Sequence, residues 1–159
     1  MEVTQRRWSD EHGWHGADAD PDAALVLVFG SVDLLARAPW LQPLRAAYPD
    51  AIVFGCSTAG EIVDEGVLDD SLVATALSFD ATHCAIATAA LRWHESASAS
   101  ARALVDQLPL AGLSHVLVLC DGARVNGTEL TAGLRAALPR HVAVTGGLSA
   151  DGERFGTTL

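Results

Sequence analysis

Ala51-Ile52-Val53-Phe54-Gly55-Cys56-Ser57-Thr58-Ala59-Gly60-Glu61 opens as an apolar run, breaks into small and hydroxyl-bearing residues, and closes on a carboxylate. A strand followed by a Gly/Ser/Thr loop is how an α/β domain offers backbone N–H groups and hydroxyls to a small ligand at the carboxyl end of its sheet. Taken alone, the same pattern also describes a tight turn that needs small residues. The expectation is a strand over residues 51–55 and a loop over 55–60.

A second copy of the pattern decides the fold. Leu44-Arg45-Ala46-Ala47-Tyr48-Pro49 returns as Leu134-Arg135-Ala136-Ala137-Leu138-Pro139, an offset of 90 residues (44 to 134). At that offset Val26-Leu27-Val28 falls on Val116-Leu117-Val118, and Ile52-Val53-Phe54 on Val142-Ala143-Val144. The Cys56 loop falls on Gly146-Gly147-Leu148-Ser149-Ala150-Asp151, with no gap. One β-α-β-loop unit used twice predicts an α/β (α+β) fold: a pseudo-symmetric repeat of βαβ plus β-hairpin units in a mixed sheet packed by helices. Two equivalent loops would face one shared cleft. The expected ligand-binding residues are Cys56, Ser57, Thr58, Ala59, Gly60 and Glu61 from the first loop, and Gly146, Gly147, Ser149 and Asp151 from the second. The expected organisation is an N-terminal arm (1–22) and one domain (23–159), with repeat units over 25–110 and 115–159. The second unit stops before its hairpin and helix, so the remainder is expected beyond Leu159 or from a partner.

The chain has 159 residues, half of them hydrophobic and 19% charged, as in a globular domain. No apolar run is long enough for a membrane span, and no signal peptide opens the chain, so a cytoplasmic location is expected. A formal charge of −10 repels nucleic acid and anionic membranes. All ten basic residues are Arg, which removes a P-loop lysine, a Schiff-base lysine and a pyridoxal site together. Cys56, Cys84 and Cys120 form no CxxC, and His12/His15 is the one close histidine pair, so no metal site is expected.

Along the chain, residues 1–22 read as a loop or arm whose Trp8 and Trp14 pack onto the body. A buried strand over Leu25–Phe29 leads to a cap at Ser31 or Asp33. The following helix breaks near Pro39 and resumes with Pro43 in its first turn, up to about Tyr48. Glu61 to Asp70 carries five carboxylates and reads as a solvated loop. Ser71–Phe79 and His83–Ala90 read as a hairpin, with Trp93 and His94 at the sheet edge. Helices are expected over 97–108 and, capped by Asn126 with Glu129 three residues on, over 127–137; strands are expected over 116–120 and 141–145.

The stretches LVLVFGS (25–31), GCSTAGEI (55–62), LDDSLVATALSF (68–79), DGARVNGTEL (121–130) and GGLSADGERF (146–155) resemble the FIST domain family, sensory domains of bacterial signalling proteins. The resemblance implies a sensor of a small polar metabolite such as an amino acid, and not an enzyme. It implies a C-terminal FIST domain or a signalling output partner that this chain lacks. One branch resembles haem-carrying nitric-oxide sensors, so haem is a possible cofactor; His83, His94, His115 and His141 are the available histidines. From the residues alone, Glu61 or Asp151 would take a ligand ammonium, and Ser57, Thr58 and loop amides its carboxylate. The alternative is a serine hydrolase, with Ser57 on an elbow-like GCSTA turn and Asp121 and His141 later in the chain. An elbow must lead into a helix, however, and the offset sets Gly147 against Ser57. Cys56 at a strand end reads as buried and inert rather than as a reactive thiol.

Overall fold

The computed structural model describes residues 1–63, 66–90, 96–154 and 156–159. They form two compact units, Met1–Cys84 with Ser149–Leu159, and Ala85–Leu148. The content is mixed α and β, as the repeat predicts.

In the first unit, β1 (Glu2–Ser9) and β2 (Gly13–Gly16) form an antiparallel hairpin where the sequence reads as an arm. The hairpin is pinned by indoles. Trp8, Trp14 and Trp40 pack edge to face, and Trp14 Nε1 donates to Trp40 O at 2.8 Å. Strand β3 (Leu25–Gly30) is followed by α1 (Val32–Ala36), a 3-10 turn (Ala38–Trp40) and α2 (Leu41–Ala47), so the prolines break the helix where expected. Ser31 stands at the N-cap of α1, but its hydroxyl makes no capping bond. Strand β4 (Ile52–Ser57) lies parallel to β3, and β7 (Leu72–Ser78) lies antiparallel between β1 and β3. The sheet order is β2-β1-β7-β3-β4. Val26, Val28, Ala74 and Ala76 on one sheet face bury Leu44, Tyr48 and Trp40 from the crossover.

Two expectations fail here. The predicted strand 83–90 joins no ladder among the described residues and is mostly exposed. Its intended partner β7 has both edges taken by β1 and β3, so a following hairpin strand has no edge to join. The acidic stretch is not simply a loop. Glu61–Val63 (β5) and Gly66–Leu68 (β6) form a small hairpin, and the period-2 alternation buries Glu61 and Val63 while Ile62 and Val67 stand 78% and 71% exposed. Asp64, Glu65, Trp93, His94 and Phe155 lie outside the described residues.

The second unit holds α3 (Ala97–Val105), β8 (His115–Cys120), α4 (Gly127–Ala137) and β9 (Ala143–Leu148). Ser96 and Asn126 cap the two helices through side-chain oxygens, and Asn126 Oδ1 accepts from both Thr128 N and Glu129 N. The helices meet at Gly133, where an added Cβ would lie 2.8 Å from both Ala101 Cβ and Ser98 Cα. Strands β8 and β9 are parallel, like β3 and β4, but the register departs from the gapless offset. Leu25 pairs with Ile52, whereas His115 pairs with Ala143, so the second copy carries one more residue between helix and strand. Gly146 is therefore the counterpart of Gly55, and Leu148, not Gly147, that of Ser57. A Cβ on Gly55 would lie 1.8 Å from Val28 O, and one on Gly146 1.9 Å from Val118 O. Each ladder needs its glycine for the same close approach.

Candidate functional site

At the carboxyl ends of β3 and β4, polar residues gather in the first unit. Strand β4 runs through Cys56 and Ser57, so both are strand residues, and Ser57 is wholly buried. Thr58 N donates to Gly30 O, and the chain turns through Ala59 and Gly60 into β5. Glu61, the first residue of β5, is only 4% exposed and accepts hydrogen bonds from the hydroxyls of Thr58 and Ser71. Ser71 O accepts from Ser31 N at 3.0 Å, which brings Ser31 to the same corner. The Ser31 hydroxyl is buried without a hydrogen-bond partner among the described residues. Among the described residues, no Arg or His forms an ion pair with Glu61.

Such a carboxylate is expensive. Charge removed from water destabilises the fold unless it is paired. Two hydroxyls use two of about four acceptor sites on a carboxylate, so acceptor capacity remains for a donor cation.

The segment Ser149–Leu159 lies along the end of β4 in the same unit. Ala150 N donates to Ser57 O at 2.9 Å, Ser57 N donates to Leu159 O at 2.9 Å, and Leu159 N donates to Ser57 Oγ at 3.0 Å. Asp151 is buried, but its carboxylate is already engaged. It accepts from Gly156 N and Thr157 N and pairs with Arg154, which also reaches Asp33 at 2.8 Å. Those two carboxylates push the Arg154 pKa up. The structure thus brings Ser57, Thr58, Glu61, Ala150 and Asp151 into one unit, and gives Glu61 and Asp151 different surroundings. Gly146 and Gly147 belong to the second unit. Ser31 and Ser71 escape the sequence reading, because they reach the corner only through the pairing of β7 with β3. Their one sequence signal is a serine at the end of LVLVFGS and another inside LDDSLV.

In the second unit an open cleft of about 470 Å³ lies beside the carboxyl ends of β8 and β9 and the first turns of α4. Val118, Leu130, Val144 and Leu148 supply its apolar walls, and Gly146 and Gly147 its floor. Among the described residues no histidine lines it, and none is a hydrogen-bond partner of Glu61. His83, His115 and His141 are exposed, and His115 Nε2 is bonded to Thr145 Oγ1 at 2.7 Å. The cleft's one thiol, Cys120, is pushed up in pKa by burial and then by Asp121, which disfavours the thiolate that would bind iron. Among the described residues the donor set does not fit a haem. Among the described residues no three His, Cys, Asp or Glu side chains gather as a metal site, and no helix is long and apolar enough to cross a membrane.

The hydrolase alternative loses its geometry. The residues after Ser57 lead into β5 and not into a helix, and the Ser57 hydroxyl receives the Leu159 amide.

No curated protein and no solved structure gives a significant match to this chain. The model of the FIST N domain matches residues 24–159, which covers both parallel ladders, the Glu61 corner and the cleft. The chain therefore belongs to the FIST N domain family, sensory domains of signal-transduction proteins.

Proposed function

We propose that this chain is the ligand-sensing part of an intracellular signalling protein, and that the sensed molecule is a small metabolite carrying an ammonium group, an amino acid being the simplest. The observation that carries the reading is Glu61, a buried carboxylate held by two hydroxyls with no cation paired to it among the described residues. A ligand ammonium supplies the missing charge. The unpartnered Ser31 hydroxyl offers a further polar contact in the same corner. Asp151 supports the reading less well, because Arg154 already neutralises it. Signal output through a C-terminal FIST domain or another partner belongs to the same proposal.

Calorimetric titration with an amino-acid panel tests it. One member is expected to bind, and Glu61→Gln to weaken it roughly tenfold or more, since a charge-assisted hydrogen bond contributes about 1.5–3 kcal/mol. The same variant is expected to melt no earlier than the wild type without ligand, because it removes a buried unpaired charge. A folded protein that gives no heat with any amino acid ends this reading.

A further inference from the structure

The two units carry opposite chemistry at equivalent strand ends. Register sets Ser57 beside Gly30 in the first ladder and Leu148 beside Cys120 in the second. Ser57 is wholly buried among hydrogen bonds, whereas Leu148 is 50% exposed at the mouth of the cleft. We propose that the cleft beside the carboxyl ends of β8 and β9 is a second binding site, for a small, uncharged, mainly apolar molecule.

Size, charge and polarity each support this. At about 470 Å³ the cleft falls within the range of small-molecule pockets. Among the described residues, no acidic, basic or histidine side chain lines it. The polar side chains that line it already have partners within the protein. Thr131 Oγ1 donates to Gly127 O at 2.7 Å, Thr145 Oγ1 is bonded to His115, and Cys120 Sγ contacts Gly147 O at 3.9 Å. Of the two acids next to lining residues along the chain, Asp121 receives Ala123 N and pairs with Arg124, and Glu129 is exposed on α4. A charged ligand would lose its water there and find no oppositely charged side chain among the described lining residues, which is costly. An apolar one would cover Leu148 and the exposed side of the Val118–Val144 wall, gaining about 25 cal/mol for each Å² removed from water.

The test is a fluorescence titration of the full chain with N-phenyl-1-naphthylamine, a neutral probe, and with its anionic sulfonate analogue. Saturable binding of the neutral probe at one site per chain is expected, with the anion at least roughly tenfold weaker. Thr131→Trp, at an exposed helix position bordering the cleft, is expected to fill it and weaken the neutral probe by a similar factor, whereas Glu61→Gln leaves that affinity unchanged. No saturable binding by folded protein, equal affinity for both probes, or undiminished binding to folded Thr131→Trp overturns the proposal. Should that variant fail to fold, the comparison of the two probes on the wild type decides alone. Because Glu61 lies outside this cleft, failure here leaves the amino-acid reading standing, and the reverse also holds.

Discussion

At Asp20 one carboxylate ties the connection between β2 and β3 to the last residue of β7, accepting from the Ser78 hydroxyl and from Asp22 N. Those bonds, that of Ser78 first, hold the Asp20 pKa below the ordinary carboxylate value. A depressed folded-state pKa contributes stability above the unfolded pKa of about 3.9, and that stability is lost as pH falls through the folded value. Ser78→Ala is therefore expected to be less stable than wild type at pH 7, with the gap narrowing below about pH 4. Urea denaturation at both pH values checks it; a gap of equal size at both would show that Ser78 acts by packing alone. The same scale shows what the sequence could not disclose. Glu61 was legible as a loop carboxylate, but its burial and its Ser71 partner depend on β5 folding back against the start of β7. Five clustered acids suggest water, and only the alternation along β5 selects which of them goes inside.

Among the elements, those with local signals were the legible ones. Asn126 with Glu129 marks the start of α4, Pro39 and Pro43 mark the broken crossover, and the apolar runs mark β3 and β8. The segment 83–90 reads as a strand but forms none, because pairing depends on which edges other strands have already taken. The α3–α4 contact offers a test at this scale. Gly133 has helical neighbours, and Ala there would gain about 1 kcal/mol of helix propensity. The Ser98 and Ala101 atoms only 2.8 Å from the added Cβ oppose it, with overpacking costing about 1–3 kcal/mol. Because backbone as well as side chain must shift, the clash is expected to win, with Gly133→Ala losing about 1 kcal/mol net in chemical denaturation. A stabilised variant would mean the helices can separate at no cost.

Across the whole molecule the two copies share a parallel β-α-β arrangement but differ in how their strands are paired. Strand β3 is hydrogen-bonded on both edges, by β7 and β4, whereas β8 is paired only with β9 among the described residues. The duplicated motif was visible at a fixed offset, yet the extra residue ahead of β9 was not, since helix and strand patterns each tolerate a one-residue change in the link between them. That difference in edges has a direct consequence for exchange. In a parallel pair, alternate N–H groups of a strand point away from its neighbour, so half of the β8 amides face no ladder partner while those of β3 face β7. Hydrogen exchange on the intact chain is expected to protect β3 along its length and β8 only at alternate residues. The segment 85–90, also without a ladder, is expected to exchange fast apart from Thr88, whose amide donates to Gln107 Oε1. Uniform protection of β8 equal to that of β3 would contradict this, and would mean that another strand occupies its open edge in solution.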